Sequence, residues 1–182
     1  THPLWFAELR EKLEPAEEGL FALKKEFQCS NINEVPDSCK GDVRFILSAE
    51  VSSIYNKKNK VRKIHNLIYA PDFETVSKIN SELTKIGNLR SDGRPILGLD
   101  AKELLKIVLD SGDDSMLIPA HAWTPHFSVF GSVSGFDSLE ECFDELTPNI
   151  HAIETGLSSD PAMNWRLSTL ENVTLLSNSD AH

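Results

Sequence analysis

No apolar run in this chain approaches the roughly 18–20 residues of a membrane-spanning helix, and no amino-terminal signal peptide is visible. There is no CxxC pair. The three cysteines, Cys29, Cys39 and Cys142, make an odd number, which excludes a fully paired disulfide framework. Reduced thiols in a cytoplasmic protein are the expectation. Cys29 and Cys39 flank a polar segment and could form half of a zinc site, but no second pair lies nearby in sequence, so two free thiols are the simpler reading. Basic residues are outnumbered, with 18 Lys and Arg against 28 Asp and Glu, a formal net charge of -10. That balance argues against polyanion binding by the whole surface, while a local basic strip remains compatible with it. The phosphate-binding pattern G-x-x-x-x-G-K-[ST] is absent, which removes the basis for an ATPase or helicase. The G-x-S-x-G elbow is absent too, which argues against a Ser-His-Asp hydrolase.

What is present is an ordinary globular composition, 40% hydrophobic and 25% charged over 182 residues, expected to form a single domain spanning 1–182. Apolar spacing predicts a helix over 4–13, and Pro15-Ala16-Glu17-Glu18 resembles a second helix start. β-rich segments at 43–55 and 61–70, separated by Asn56-Lys57-Lys58-Asn59-Lys60, predict a hairpin. Asp72 and Asp100 are expected to cap helices, the first running to about Ile86 and the second carrying a Leu104, Leu105, Val108, Leu109 stripe. Strands at 116–120, 150–155 and 173–177 alternate with helices at 137–146 and 161–170. Such alternation favours an α/β fold with a parallel sheet or a barrel.

The working residues of α/β barrels sit at the carboxyl ends of strands. His121 follows Leu117-Ile118-Pro119-Ala120, and Asp180 and His182 follow Thr174-Leu175-Leu176. Two residues apart on a strand, Asp180 and His182 share a face and could bind one metal ion or two adjacent ones. Glu50 and His65 lie on the two arms of the hairpin, and His2 stands at the amino end. A lone strand histidine is usually structural. Metal-binding residue types recurring at successive strands are harder to explain that way.

These residues sit in segments that resemble the polymerase-and-histidinol-phosphatase (PHP) superfamily, nearest its endonuclease Q branch. The segments are Thr1-His2-Pro3-Leu4-Trp5, Leu47-Ser48-Ala49-Glu50-Val51, His65-Asn66-Leu67, Ser91-Asp92-Gly93-Arg94-Pro95, Pro119-Ala120-His121-Ala122-Trp123-Thr124-Pro125, Glu154-Thr155-Gly156-Leu157-Ser158-Ser159-Asp160 and Ser177-Asn178-Ser179-Asp180-Ala181-His182. They span nearly the whole chain. The resemblance implies a distorted, TIM-like (β/α)7 barrel holding up to three divalent metal ions. It makes Glu50 the bridging carboxylate, His65 and His121 ligands of one metal, Asp180 a ligand of the other, and His2 and His182 ligands of the third. It places the family's first His-x-His motif, the acidic ligand after it and the first strand upstream of Thr1. Glu50 and Asp180 are then the expected catalytic carboxylates. The donors suit zinc best, with manganese or iron also compatible.

The implied chemistry is metal-assisted phosphodiester hydrolysis, with DNA cut beside a deaminated or damaged base. Lys57, Lys58, Lys60, Arg62 and Lys63 form the densest basic cluster. Phosphate contacts and a solvated turn account for it equally well. Trp123, His126, Phe127 and Phe130 follow His121 and could stack on a flipped or single-stranded base or pack their loop; a rim role is favoured for Trp123 and packing for Phe127 and Phe130. Trp5 and Trp165 are expected on helix faces or in the core, and His151 in a structural role. Residues 154–160 could orient a ligand, or Asp160 could merely cap the next helix. Arg94 and Arg166 are candidate phosphate clamps, although exposed salt bridges are the commoner fate of arginine. A small-molecule phosphoesterase of the histidinol-phosphatase kind is one alternative. A metal-free binding module is the other.

Overall fold

The computed structural model describes residues 2–28, 36, 41–91, 93–178 and 180. Helix α1 (Pro3–Lys12) starts as its sequence dictates: Pro occupies the first turn, and His2 Nδ1 accepts the Leu4 amide at 3.3 Å. None of its residues is buried, and Trp5 is 58% exposed rather than in the core.

No helix begins at Pro15. Strand β1 (Leu13–Pro15) instead turns back into β2 (Phe21–Leu23) as an antiparallel pair. Gly19 at φ 72 makes the turn, and the Leu20 amide bonds to the Glu17 carbonyl. The acidic pair that resembled a first helical turn lies in this turn.

The central element is the hairpin of β3 (Leu47–Lys57) and β4 (Lys60–Ala70). Lys58 and Asn59 both take positive φ, as a two-residue hairpin turn with the strands' own twist requires. The tip is therefore tighter than the sequence suggests, and Lys57 and Lys60 pair directly across it. Helix α2 (Phe73–Ile86) follows, capped by Asp72 on the Thr75 amide at 2.7 Å. β5 (Ile96–Leu97) adds to β3 in parallel, α3 (Ala101–Ser111) is capped by Asp100, and β6 (Met116–Pro119) adds to β4 antiparallel. The sheet order is β5-β3-β4-β6.

The last third is less regular than its sequence pattern suggests. Helix α4 (Leu139–Phe143) gives way to a 3-10 helix, Asp144–Asn149, at Asp144, whose φ of 49 ends the α-helix. Helix α5 (Pro161–Asn164) lasts one turn and is followed by a 3-10 turn, Ser168–Leu170. β7 (Ala152–Glu154) and β8 (Thr174–Leu176) pair in parallel as a separate sheet. Ala122 reaches it through an amide bond to the Glu154 carbonyl at 2.8 Å. The fold is mixed α/β, with strands of the described residues in three sheets and no closed barrel among them. No described helix is long and apolar enough to cross a membrane.

One core cluster, including Val51, Ile64, Leu83, Leu104, Leu117 and Phe143, packs α2, α3 and α4 against the four-stranded sheet. Leu104 is wholly buried, so Leu104→Ala should cost about 2–5 kcal/mol in urea unfolding, cavity included. Val61→Ala, at an exposed position of β4, should cost well under that.

Candidate metal centre

Glu50 is the fourth residue of β3, and His65 the sixth of β4. In the hairpin register Glu50 faces Leu67 and His65 faces Ser52, so Glu50 and His65 are diagonal neighbours on one face of the sheet. Long side chains span that diagonal. Glu50 Oε1 lies 2.8 Å from His65 Nδ1. His121 comes from the end of β6. The chain leaves the strand there at a φ of 30, and His121 Nε2 lies 3.1 Å from His65 Nδ1 and 3.5 Å from Glu50 Oε1. One donor atom from each of the three residues lies within 4.8 Å of the others.

The side chains are largely buried, with Glu50 14% exposed, His65 8% and His121 7%. Arg94 brings its Nη1 to 3.4 Å from both Glu50 oxygens and 3.5 Å from His65 Nδ1. Burial alone would raise the Glu50 pKa, but hydrogen bonds from His121 and His65 and the charges of His65 and Arg94 outweigh it and hold the carboxyl far below its usual range. Burial lowers the pKa of His65, against the pull of Glu50. Burial also acts to lower that of His121, but its hydrogen bond to Glu50 and the charge of Asp180 raise it on balance.

His121 is fixed from behind. Its amide donates to Glu154 Oε2 at 2.6 Å, and its Nδ1 lies 3.0 Å from Thr124 Oγ1. Gly156, at φ 61, packs so closely that a Cβ there would lie 2.7 Å from His121 Cβ. Glu154 thus holds the backbone of a ligand candidate, the orienting role open to residues 154–160 in sequence. Phe127, read in sequence as more a packing than a stacking residue, packs on the site itself. Its ring lies 4.6 Å from that of His65, and its carbonyl accepts the His65 amide at 2.9 Å.

The remaining sequence candidates divide. Asp180, at φ 50, is exposed and close enough for its charge to act on His121. His2 caps α1 and stands outside the three-residue group. His182, Cys29 and Cys39 lie outside the described residues.

Two members of the basic cluster are committed to internal contacts. Lys57 Nζ donates to the Cys142 carbonyl at 2.8 Å and to Asp144 at 2.9 Å. Arg62 is buried, donates to the Gly135 carbonyl and lies 4.0 Å from the Phe136 ring centroid. Strand alternation hides this pairing from a reader who sees only a run of charges. Lys58 lies 3.7 Å from Glu141, Lys60 is exposed, and Lys63 lies 5.5 Å from the Phe127 ring centroid.

Trp123, half-buried, is anchored at both ends. Its Nε1 donates to the buried Asn164 at 2.8 Å, and its ring stacks on Phe130. Trp165, expected on a helix face or in the core, is 73% exposed and so outside the core.

No family model matches the chain. It is similar to the uncharacterized protein YqxK of Bacillus subtilis (strain 168), 36% identical over 122 residues that make up 65% of this chain and 30% of that protein. Its fold is similar to that of the lesion-specific endonuclease PfuEndoQ from Pyrococcus furiosus, with a TM-score of 0.76 and 27% identity over 100% of this chain and 38% of that one. The chain therefore spans the smaller part of either protein.

Glu154→Ala should leave the buried His121 amide without its partner, at a cost of about 1–3 kcal/mol in urea unfolding. Glu154→Gln, which keeps an acceptor oxygen, should cost clearly less. Equal losses in the two variants would mean that the hydrogen bond is not what Glu154 contributes.

Proposed function

We propose that this chain is the metal-holding part of a phosphodiester hydrolase that cuts DNA beside deaminated or damaged bases, an endonuclease of the endonuclease Q type in the PHP superfamily. One observation carries this reading. A largely shielded carboxylate and two buried imidazoles converge in a chain whose whole length is similar in fold to a lesion-specific endonuclease. On this reading the 182 residues act as one domain, and their sheets form part of a distorted (β/α)7 barrel. The enzyme works in the cytoplasm.

The donors fit a divalent ion. One oxygen and two nitrogens, all within 4.8 Å of one another, are the mixed set that zinc, manganese and iron accept. Glu50, His65 and His121 would hold it, and Asp180, whose charge acts on His121, would support a second ion. His2 and His182 would belong to a third. A bound divalent ion supplies Lewis acidity and a water acidic enough to lose its proton near neutral pH.

The protein's own groups do the rest. Glu154, Thr124 and Gly156 fix the His121 imidazole, and Phe127 covers one face of His65. No protein nucleophile is needed. Lys58 and Lys60 lie at the hairpin tip, seven residues beyond Glu50 along β3 or about 23 Å. At that distance they meet phosphates about seven nucleotides from the scissile bond, and they contribute to strand binding rather than to the chemistry.

With manganese or zinc supplied, the full-length protein that contains this chain should nick duplex DNA containing deoxyuridine or deoxyinosine and leave undamaged duplex intact. Glu50→Ala should lower the rate by more than about 100-fold. Hydrolysis of an aryl phosphate without any action on DNA would instead favour a small-molecule phosphoesterase. Failure to rebind any divalent metal would favour a metal-free module.

A further inference from the structure

Arg94 approaches the metal-binding atoms themselves. Its Nη1 contacts both Glu50 oxygens and His65 Nδ1, which are two of the three donor groups. The position is imposed by the backbone on either side. Gly93 lies flat against Trp5, where a Cβ would come 2.7 Å from the ring. The Pro95 carbonyl accepts the Ser52 amide at 3.0 Å, and Ile96 pairs with Ser52 in the sheet. The loop is therefore tied to β3 two residues from Glu50. The Arg94 side chain is 34% exposed against 14% for Glu50, so it reaches further towards solvent than the carboxylate does.

The charges around the site give it a reason to be there. Glu154 is buried, Glu50 is largely shielded at 14% side-chain exposure, and Asp180 adds its charge near His121. A buried carboxylate without a nearby cation is strongly destabilising. A guanidinium 3.4 Å away supplies the charge. A divalent ion drawn to the same carboxylate and imidazole would supply it too, and two cations crowded onto one carboxylate repel each other.

We propose that Arg94 is the exchangeable counter-cation of this centre, competing with the divalent metal for Glu50 and His65 and turning outward when the metal binds. Turned outward it stands beside the loaded centre, where a phosphate of the substrate strand can take it. By linkage, an anion that holds Arg94 away must raise metal affinity by the same factor as metal raises affinity for the anion. The inference rests on the metal-dependent reading given above.

The alternative role for Arg94, as a fixed strut that orients Glu50 for the metal, predicts the opposite sign. Manganese(II) alone is titrated into the purified protein, and the free ion is followed by electron paramagnetic resonance. Arg94→Gln should bind manganese about tenfold more tightly than the unaltered protein, within the usual range of coupling between two sites. Arg94→Lys, which keeps the charge, should lie closer to the unaltered protein. Glu50→Gln should lose the site. Circular dichroism confirms that each variant is folded, and Arg94→Met provides a second charge-free variant should Arg94→Gln unfold. Unchanged or weaker binding by folded Arg94→Gln and Arg94→Met overturns the proposal but leaves the metal reading intact. Absence of manganese binding in the unaltered protein and in every variant overturns both.

Discussion

A carboxylate held out of water decides most of what surrounds it. Glu50 sits on an inner part of the sheet, and its charge can be kept there only if positive or hydrogen-bonding groups meet it. Two imidazoles and a guanidinium do so, from β4, from the end of β6 and from the loop before β5. Each is in turn fixed by backbone contacts: the Phe127 carbonyl on His65, the Glu154 carboxylate on His121, and the Ser52–Pro95 bond beside Arg94. The loops differ in sequence and length, yet all are organised around one charge.

The β3–β4 hairpin is the ruler that makes this possible. Its register sets Glu50 and His65 on one face, while Val51 and Ile64 face the opposite way into the core. A slip of one residue would turn every side chain to the wrong face and exchange the site for the core. The tight Lys58-Asn59 turn and the Lys57 contacts with Cys142 and Asp144 anchor the far end against such a slip. The charges that could read as a surface for phosphates or as a solvated turn are thus in part the hairpin's own fastening.

Much of this was legible in the sequence where the signal was local. The hairpin, the caps at Asp72 and Asp100 and the apolar stripe of α3 all follow from spacing and turn chemistry. So did the candidacy of Glu50, His65 and His121, since metal-binding residue types recur at successive strands. Less was legible where a long-range contact decides the outcome. Pro15-Ala16-Glu17-Glu18 has helix-start chemistry, but the pairing of β1 with β2 overrides it. The anchoring of Trp123 is set by Asn164, forty-one positions away, which takes its indole N–H. Arg62 is one charge in a basic run until strand alternation turns it beneath Phe136. Arg94 carries no local mark of its place beside Glu50, because only the parallel pairing of β5 with β3 brings it there.

The central claim is that Glu50, His65 and His121 form one metal centre. Anomalous diffraction from crystals soaked in manganese tests it most directly. A peak should lie about 2.0–2.3 Å from Glu50 Oε1, His65 Nδ1 and His121 Nε2 together. Peaks confined to other parts of the surface, with the three side chains still bonded only to one another and to Arg94, would contradict it.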